Sequence, residues 1–457
     1  MPRLHVHGMA QLYVIRSSSF AANLTSLLCP SSFPSCAIHH PTGHLQIPDE
    51  SRIVPHLLEV LEPFSVKNGG PLVIETLVYK DNRPNLKITY PGTDSDAGCT
   101  GLIGSHMDVV PANPETWERD PFQLSVEGDK LYGRGTTDCL GHVGMITLLF
   151  KALAERRVNL KRSVVALFIV GEEGGEAGVG VDMVVASGAI DELKNGTCYW
   201  IDSADSQPCT GTAGALQWHL KATGRLFHSG LPHRGINSFE LVSEALKIIQ
   251  DRFYIDFLPH EQEEKYGFAT PSTMKPTQVE CAKGALNQLP PWTTVSGDIR
   301  LTPFYDPVVV METVNGYIKD INDNIESVPT RGPCSKYTLE GDDVDIKRGK
   351  VEIEWTDDES SVRQMEGIAC DLNSDGLKSI IDATEEVKGE AKPYAITGSL
   401  PLVRQMQNEG RLRFSGMQHQ PKCLYAMLTV HKSSPLLSSV LFAIYFSPQR
   451  FRYSNLG

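Results

Sequence analysis

The chain alternates short apolar runs with longer amphipathic stretches from about residue 53 onward. Apolar residues at helical spacing predict helices over 54–64 and 139–157, and the second is apolar almost all round at its start. Four apolar runs have the length of buried strands: 71–79, 85–90, 102–105 and 163–170. Strands and helices in this order predict an α/β fold, with a mixed sheet covered by helices on both faces.

The pattern changes near residue 212, where strict alternation of apolar and polar residues replaces the continuous apolar runs. Alternation of this kind is typical of strands that expose one face to solvent. The elements predicted beyond this point are strands at 217–227 and 293–301, helices at 237–251, 308–325 and 375–387, and a strand with its following loop at 394–401. Their order predicts a small α+β insert, after which the chain returns to the first unit near residue 372.

The first 48 residues contain no Asp or Glu, are rich in serine and carry Arg3 and Arg16. An organellar transit peptide has this composition, and a disordered leader is an equally good interpretation. The predicted organisation is a leader at 1–49, a catalytic domain in two parts at 50–211 and 369–457, a dimerisation insert at 212–368, and an atypical tail at 411–457.

The composition limits the possible binding partners of the protein but says little about the reaction it catalyses. A chain of 457 residues is long enough for two or three domains, and its net charge of −13 argues against nucleic acid or an anionic membrane as a partner. The ten cysteines form no CxxC pair, which favours a reduced intracellular protein over a disulfide scaffold. No apolar run reaches the roughly 18 residues of a membrane span.

Histidine and carboxylate residues gather just after the predicted strands. His106 and Asp108 follow the strand at 102–105 and are two residues apart, so their side chains can point to the same side. Asp138 follows a glycine-rich turn at the start of the long helix. Imidazole and carboxylates without a partnering cysteine suit zinc, cobalt or manganese, so we expect a metal centre here.

Adjacent acids follow the next two strands. Glu172 and Glu173 lie between the strand at 163–170 and glycines, where one can bind metal while its neighbour handles a proton. Asp202 and Asp205 follow another strand, and either could be a ligand. The alternative for a single aspartate at a strand end is a helix cap or a turn former.

The motifs HMDVV, GRGTTDCLGH, GEEGG and WIDSAD, in this order and spacing, resemble the zinc-dependent aminoacylase and deacylase superfamily. That superfamily includes acetylornithine deacetylase, succinyl-diaminopimelate desuccinylase and carboxypeptidase G, and the likeness is densest to the plant-like acetylornithine deacetylases. It covers residues 53–410. The resemblance implies a phosphorylase/hydrolase-like catalytic domain with an inserted ferredoxin-like dimerisation domain, and hence a homodimer.

The resemblance also implies roles for the acids and the histidine. His106 is expected to bind one zinc or cobalt ion, with Asp108 orienting its imidazole, and Asp138 is expected to bridge two metals and precede a cis peptide. Glu172 would be the general base, Glu173 a ligand of the second metal and Asp202 the last ligand of the first. These six residues would form the catalytic and metal-binding set.

In the insert, the resemblance implies that His228 reaches across the dimer to stabilise the oxyanion. Asn287 and Arg300 would hold the substrate carboxylate, and Gly398 would expose backbone to the substrate. From the residues alone, the favoured interpretation of His228 is a neighbour of a helix cap, and that of Arg300 is a solvated strand residue.

The implied reaction is hydrolysis of N2-acetyl-L-ornithine to L-ornithine and acetate, a step of arginine biosynthesis. A dipeptidase or aminoacylase of other specificity remains an alternative, because the sequence does not fix the side-chain pocket; Glu176 or Asp205 could attract a cationic substrate tail. The family histidine that binds the second metal has no match after residue 410, where only His419 and His431 occur. The second site is therefore expected to be weak or empty, and a catalytically impaired dimer is the competing hypothesis.

Overall fold

A computed structural model describes residues 49–127, 130–174, 176–202, 207–341, 345–356 and 366–398. The strands of the first part are β1 (Val73–Val78), β2 (Pro84–Tyr90), β3 (Cys99–Ile103), β4 (Ser125–Glu127), β5 (Lys130–Tyr132), β6 (Ser163–Phe168) and β7 (Thr197–Trp200). The helices between them are α1 (Val54–Leu61), α2 (Leu140–Glu155) and α3 (Val181–Ala186). Every helix and strand predicted for this part of the chain is present, with ends that differ by a few residues.

A five-stranded mixed sheet forms the centre of this part, in the order β1-β2-β6-β3-β7. Strand β3 runs parallel to both β6 and β7, whereas β2 is antiparallel to β1 and to β6. The carboxyl ends of three neighbouring strands therefore meet at one edge of the sheet. In open α/β sheets that edge is where ligands bind.

Strand β6 explains why the sequence shows a continuous apolar run. Val164, Ala166 and Phe168 point into a core built with α1 and α2, and Val165 and Leu167 point into a second core built with α3. Because successive side chains of a strand alternate between faces, a strand covered on both sides must be apolar throughout. The prediction of a sheet with helices on both faces is confirmed.

The remaining strands are β8 (Cys209–Thr212), β9 (Gly214–Thr223), β10 (Thr273–Cys281), β11 (Trp292–Leu301), β12 (Lys350–Trp355), β13 (Ile368–Ala369) and β14 (Tyr394–Ile396). The helices are α4 (Ser238–Asp256), α5 (Glu261–Tyr266), α6 (Pro307–Asp323) and α7 (Asp375–Lys388). Among the described residues, no helix combines the length and the apolar character needed to cross a membrane.

Strands β10, β11, β9 and β12 form an antiparallel four-stranded sheet in that order. Trp218, Leu220 and Ala222 of β9 are buried against α4 and α6, whereas the side chains between them are exposed. The alternation in the sequence thus marks a sheet with one covered face, as predicted for the insert.

Capping residues explain where the helices of this unit begin. Asn237 Oδ1 accepts the amides of Phe239 and Glu240 at the start of α4, and Asp306 Oδ1 accepts those of Val308 and Val309 at the start of α6. Each cap satisfies backbone donors that have no partner inside the helix.

A three-stranded sheet in the order β13-β8-β14 connects the two larger sheets along the chain. Thr212, at the end of β8, pairs with Ile368, at the start of β13, so the chain leaves for the four-stranded unit and returns from it through neighbouring strands. Residues 399–401 of the predicted strand and loop, and the atypical tail, lie outside the described residues.

Candidate metal centre

The acids and the histidine that follow the parallel strands meet at one edge of the five-stranded sheet. His106 comes shortly after β3, Glu172 and Glu173 follow β6, and Asp202 follows β7. Asp138 reaches the same place from the turn before α2. Because β6, β3 and β7 are adjacent and parallel, their loops emerge side by side, which is why residues far apart in sequence converge.

The imidazole of His106 lies at the centre of this group and is fully buried. Its Nε2 atom lies 2.8 Å from Asp138 Oδ1, 3.7 Å from Glu172 Oε2 and 3.7 Å from Asp202 Oδ1. The Asp138 carboxylate is open to solvent, with 62% of its side chain exposed, whereas those of Glu172 and Asp202 are nearly covered. One side of the group is thus accessible from outside.

The other nitrogen of the ring fixes its tautomer. Nδ1–H donates to the main-chain oxygen of Asp108 at 2.9 Å, and the nearest carboxylate oxygen of Asp108 is farther away, at 3.5 Å. The peptide carbonyl is therefore the closer partner of Nδ1, and the carboxylate expected from the resemblance lies beside it. With its proton on Nδ1, the neutral ring turns the Nε2 lone pair towards the acids, and a proton or a cation must lie between them.

The Asp108 carboxylate also accepts hydrogen bonds from the backbone amides of the two glutamates. Oδ1 accepts the amide of Glu172 at 3.2 Å, and Oδ2 accepts the amide of Glu173 at 3.0 Å. The Glu173 carboxylate in turn accepts the amide of Val110 at 3.2 Å. These bonds connect the loop after β3 to the loop after β6.

Burial and the neighbouring acids raise the pKa values of both glutamates and so disfavour their ionised forms. Burial raises the pKa of Glu172 well above its usual range, and nearby carboxylates add to the rise. Burial and the charge of Asp138 raise the pKa of Glu173 to about 7. Burial lowers the pKa of His106, but neighbouring acidic groups outweigh that effect and raise it well above its ordinary value. The group as a whole therefore attracts positive charge.

Two sets of residues could each hold a metal ion, because the ligand atoms within each set lie within 4.8 Å of one another. One set is His106, Asp138 and Glu173, and the other is His106, Cys139 and Asp202. Cys139 is a neighbour that the sequence analysis missed, although its position next to Asp138 could have suggested it. Burial raises the pKa of its thiol well above the usual range, and Sγ lies 3.6 Å from the carbonyl oxygen of Ile201. The other donors of both sets are an imidazole and carboxylates, which fit zinc, cobalt or manganese.

The Asp138–Cys139 peptide is cis, as expected from the resemblance.

The residues expected to contact the substrate, three in the insert and Gly398 after it, make local contacts of their own. His228 and Asn287 are both exposed, and Asn287 Nδ2 lies 3.3 Å from His228 Nε2. Arg300, on β11, donates from Nε to Asp298 Oδ2 at 2.7 Å. Gly398 is exposed, and its carbonyl accepts the amide of Ala213 at 3.0 Å.

Glu176 does not remain available for a cationic substrate tail. Its carboxylate binds Arg83, and it also accepts a hydrogen bond from Lys80 at 2.7 Å. These two cations lower the pKa of Glu176 against the opposing effect of burial, which keeps it ionised and paired. The other candidate, Asp205, lies outside the described residues, as do His419 and His431.

The sequence signature of peptidase family M20/M25/M40 matches residues 102–407, a stretch that includes all of the strand-end acids and His106. The chain belongs to this family. An acetylornithine deacetylase of Arabidopsis thaliana is 53% identical over 366 residues, covering 80% of this M20 chain and 81% of the relative. An acetylornithine deacetylase of Dictyostelium discoideum is 49% identical over 373 residues, covering 80% and 82%.

Solved structures agree with the fold of this M20 chain. An M20 metallo-carboxypeptidase of Sulfolobus solfataricus matches with a TM-score of 0.60 at 17% identity, covering 90% of this chain and 91% of the other. A dinuclear metal-binding M20 peptidase of Bacillus subtilis matches with a TM-score of 0.55 at 12% identity, covering 92% of each chain. These structures agree with the fold, and the family match and the two named relatives make the chain a hydrolase of a metal-binding family.

Proposed function

We propose that the protein removes the acetyl group of N2-acetyl-L-ornithine by metal-dependent hydrolysis of its amide bond, giving L-ornithine and acetate. The observation that carries the proposal is the convergence of His106, Asp138, Glu173 and Asp202 around one acid-rich, partly open position. Two relatives with about half of their residues identical, both named acetylornithine deacetylase, support this substrate.

The residues at the strand ends divide into two overlapping ligand sets. His106, Asp138 and Asp202 would hold one ion, and Asp138 and Glu173 a second, with zinc or cobalt as the expected metals. Two divalent ions at such a position supply a water of lowered pKa and polarise the amide carbonyl. The single imidazole in the described set is consistent with a second ion bound more weakly than the first.

Glu172 is proposed to move the proton. Its carboxyl is almost covered and has a raised pKa, which suits a group that must take a proton from water and release it to the departing amine. Because Asp108 holds the amide of Glu172, the position of the carboxyl depends on that bond.

The substrate carboxylate is proposed to bind Asn287 and Arg300, and Gly398 is proposed to expose its backbone to the substrate. Arg300 donates from Nε to Asp298, and the planar guanidinium group is suited to binding a carboxylate. The exposed position of His228 supports a homodimer in which this histidine serves the site of the partner subunit and stabilises the developing oxyanion.

The experiment is to purify the full chain, count bound zinc and cobalt, and measure acetate released from N-acetylornithine. A panel of neutral N-acetyl amino acids and dipeptides tests the substrate, and light scattering tests the dimer. Turnover of N-acetylornithine above that of the panel supports the proposal. Less than one ion per chain together with no turnover would support the impaired member, which the two close relatives do not favour.

We further propose that the protein acts inside the cell, in the cytoplasm or, if residues 1–49 act as a transit peptide, in a plastid or mitochondrion. The absence of Asp and Glu from residues 1–48 and their serine-rich composition support the organellar case. A fluorescent fusion of residues 1–49 tests it, because cytoplasmic fluorescence would exclude targeting.

A further inference from the structure

Arg83 is a nearly buried cation that none of the roles above uses. Its Nε and Nη2 atoms bind the two carboxylate oxygens of Glu50 at 2.5 and 2.9 Å, and its Nη1 binds Glu176. Arg83 immediately precedes β2, Glu50 lies just before α1, and Glu176 lies in the loop after β6. The guanidinium group of Arg83 therefore joins three segments of the chain beside the five-stranded sheet.

The loop that Arg83 contacts carries the two glutamates. We call residues 171–174 and 176–179 the acid loop. The amide of Glu176 donates to the carbonyl of Gly171 at 3.0 Å, so the two ends of this turn are bonded to each other. Gly171 has a φ of +71°, and a Cβ atom there would lie 2.7 Å from Val179 Cγ2 and 3.4 Å from Arg83 Nη2. A shift of Glu176 would therefore move Gly171, the residue before Glu172.

A side chain on β2, two residues after Arg83, holds the flanks of the acid loop. Asn85, fully buried on β2, accepts the amide of Val170 at 3.2 Å and donates to the carbonyl of Val179 at 2.8 Å. With Asp108 bonded to the amides of Glu172 and Glu173, the acid loop is held at its flanks, its turn and its carboxylate-bearing residues.

Stability alone does not account for the ion pairs of Arg83. A buried ion pair loses the hydration of both charges, and apolar residues of similar volume often stabilise a fold equally well. A bidentate guanidinium instead fixes the relative position of its partners. Here one partner is continuous with the residues proposed as base and metal ligand.

We propose that Arg83 is a positioning residue, which acts through Glu176 to set where Glu172 and Glu173 stand. The kinetic consequence rests on the proposed function, whereas the structural consequence does not. Removing the bond between Arg83 and Glu176 should loosen the acid loop and misplace both carboxylates without removing either.

The test compares Glu176→Gln, and Arg83→Met in a Glu50→Gln background, with the control Lys87→Met. The Glu50 change avoids leaving a buried carboxylate without its partner. Lys87 is a matched control because it lies on β2, has a side chain only 9% exposed and binds Glu192 and Glu75 at 2.6 and 3.2 Å. None of the contacts described for Lys87 involves the acid loop.

Hydrogen exchange at the amides of Glu172 and Glu173 reads the position of the loop without metal or substrate. We expect exchange about tenfold faster in both test variants, since bonds at a loosened turn open locally. The Lys87→Met control should exchange at these two amides like the wild type. Equal exchange in the test variants and the control would overturn the inference. If the Arg83 variant fails to fold, Glu176→Gln decides, because it keeps the pair of Arg83 with Glu50.

Kinetics provide the second measurement. We expect kcat for N-acetylornithine to fall about 10- to 100-fold, the usual cost of losing a partner that orients a metal ligand, with little change in KM. Adding the Arg83 change to Glu176→Gln should lower kcat no further, and Arg83→Lys should restore part of the loss. A wild-type chain without turnover would refute the proposed function. The hydrogen-exchange measurement would still test whether Arg83 positions the acid loop.

Discussion

Replacing Asp108 by Asn tests how the two glutamates are held. The carboxylate uses a different oxygen for each amide, Oδ1 for Glu172 and Oδ2 for Glu173. An Asn side chain keeps one acceptor and presents an NH₂ group to the other amide, so one bond to a charged acceptor is lost and two donors face each other. Such a bond contributes about 1.5–3 kcal/mol, which is the expected loss in the free energy of unfolding.

Asp306→Asn is a control at an exposed carboxylate, whereas Asp108 is buried. Asp306 also accepts two backbone amides, those of Val308 and Val309, but it accepts both with Oδ1. Asn can do the same with its single oxygen and is as good a helix cap as Asp, so we expect a change below about 0.5 kcal/mol. Urea titration followed by tryptophan fluorescence measures both variants, and release of zinc to a chelator should be faster only for Asp108→Asn. If the two variants unfold alike and Asp108→Asn keeps its zinc, the proposed role of the Asp108 carboxylate is wrong.

Three further results are expected. Glu172→Gln should lower kcat about 10²- to 10⁴-fold with metal content unchanged, and metal loss would instead make Glu172 a ligand. Gly104→Ala should destabilise the fold by about 2–5 kcal/mol, because φ of Gly104 is +90° and a Cβ atom would lie 2.4 Å from the buried ring of Trp200. The control Gly316→Ala should not destabilise the fold, because no atom lies within 4 Å of the added Cβ. Equal melting temperatures of the two variants would contradict this account. Since the pKa of Glu173 is raised to about 7, its carboxyl is mostly protonated at pH 6 and mostly ionised at pH 8. Zinc should therefore bind more weakly at pH 6 and displace protons when it binds there. Equal zinc affinities at the two pH values, measured by calorimetry, would contradict this.

The elements that build the catalytic sheet were predictable because their apolar patterns are strong. The run from Ser163 to Val170 is apolar almost throughout, and only a strand buried on both faces requires that. The convergence of His106 with the acids after β6 and β7 was also predictable, because parallel strands bring their carboxyl ends to one edge.

Other features depend on distances that sequence patterns do not carry. β10 is largely exposed, so it has no apolar pattern to mark it, and β13 contains only two residues. The pairing of Glu176 with Arg83 joins residues 93 positions apart, and no local pattern identifies it. Likewise, the preference of His106 Nδ1 for the carbonyl of Asp108 over its carboxylate follows from the course of the backbone after β3.

The paired ends of β8 and β13 have a consequence for how such a protein can be rebuilt. Thr212 lies opposite Ile368 in an antiparallel pair, where facing Cα atoms are about 5 Å apart, so a turn of two or so residues could join the strands directly. Everything between them could then be deleted, or exchanged for another module, without cutting the strands that carry His106, Glu172 and Asp202. Residues 213–367 are thus a segment that could be exchanged while the five-stranded sheet stays intact.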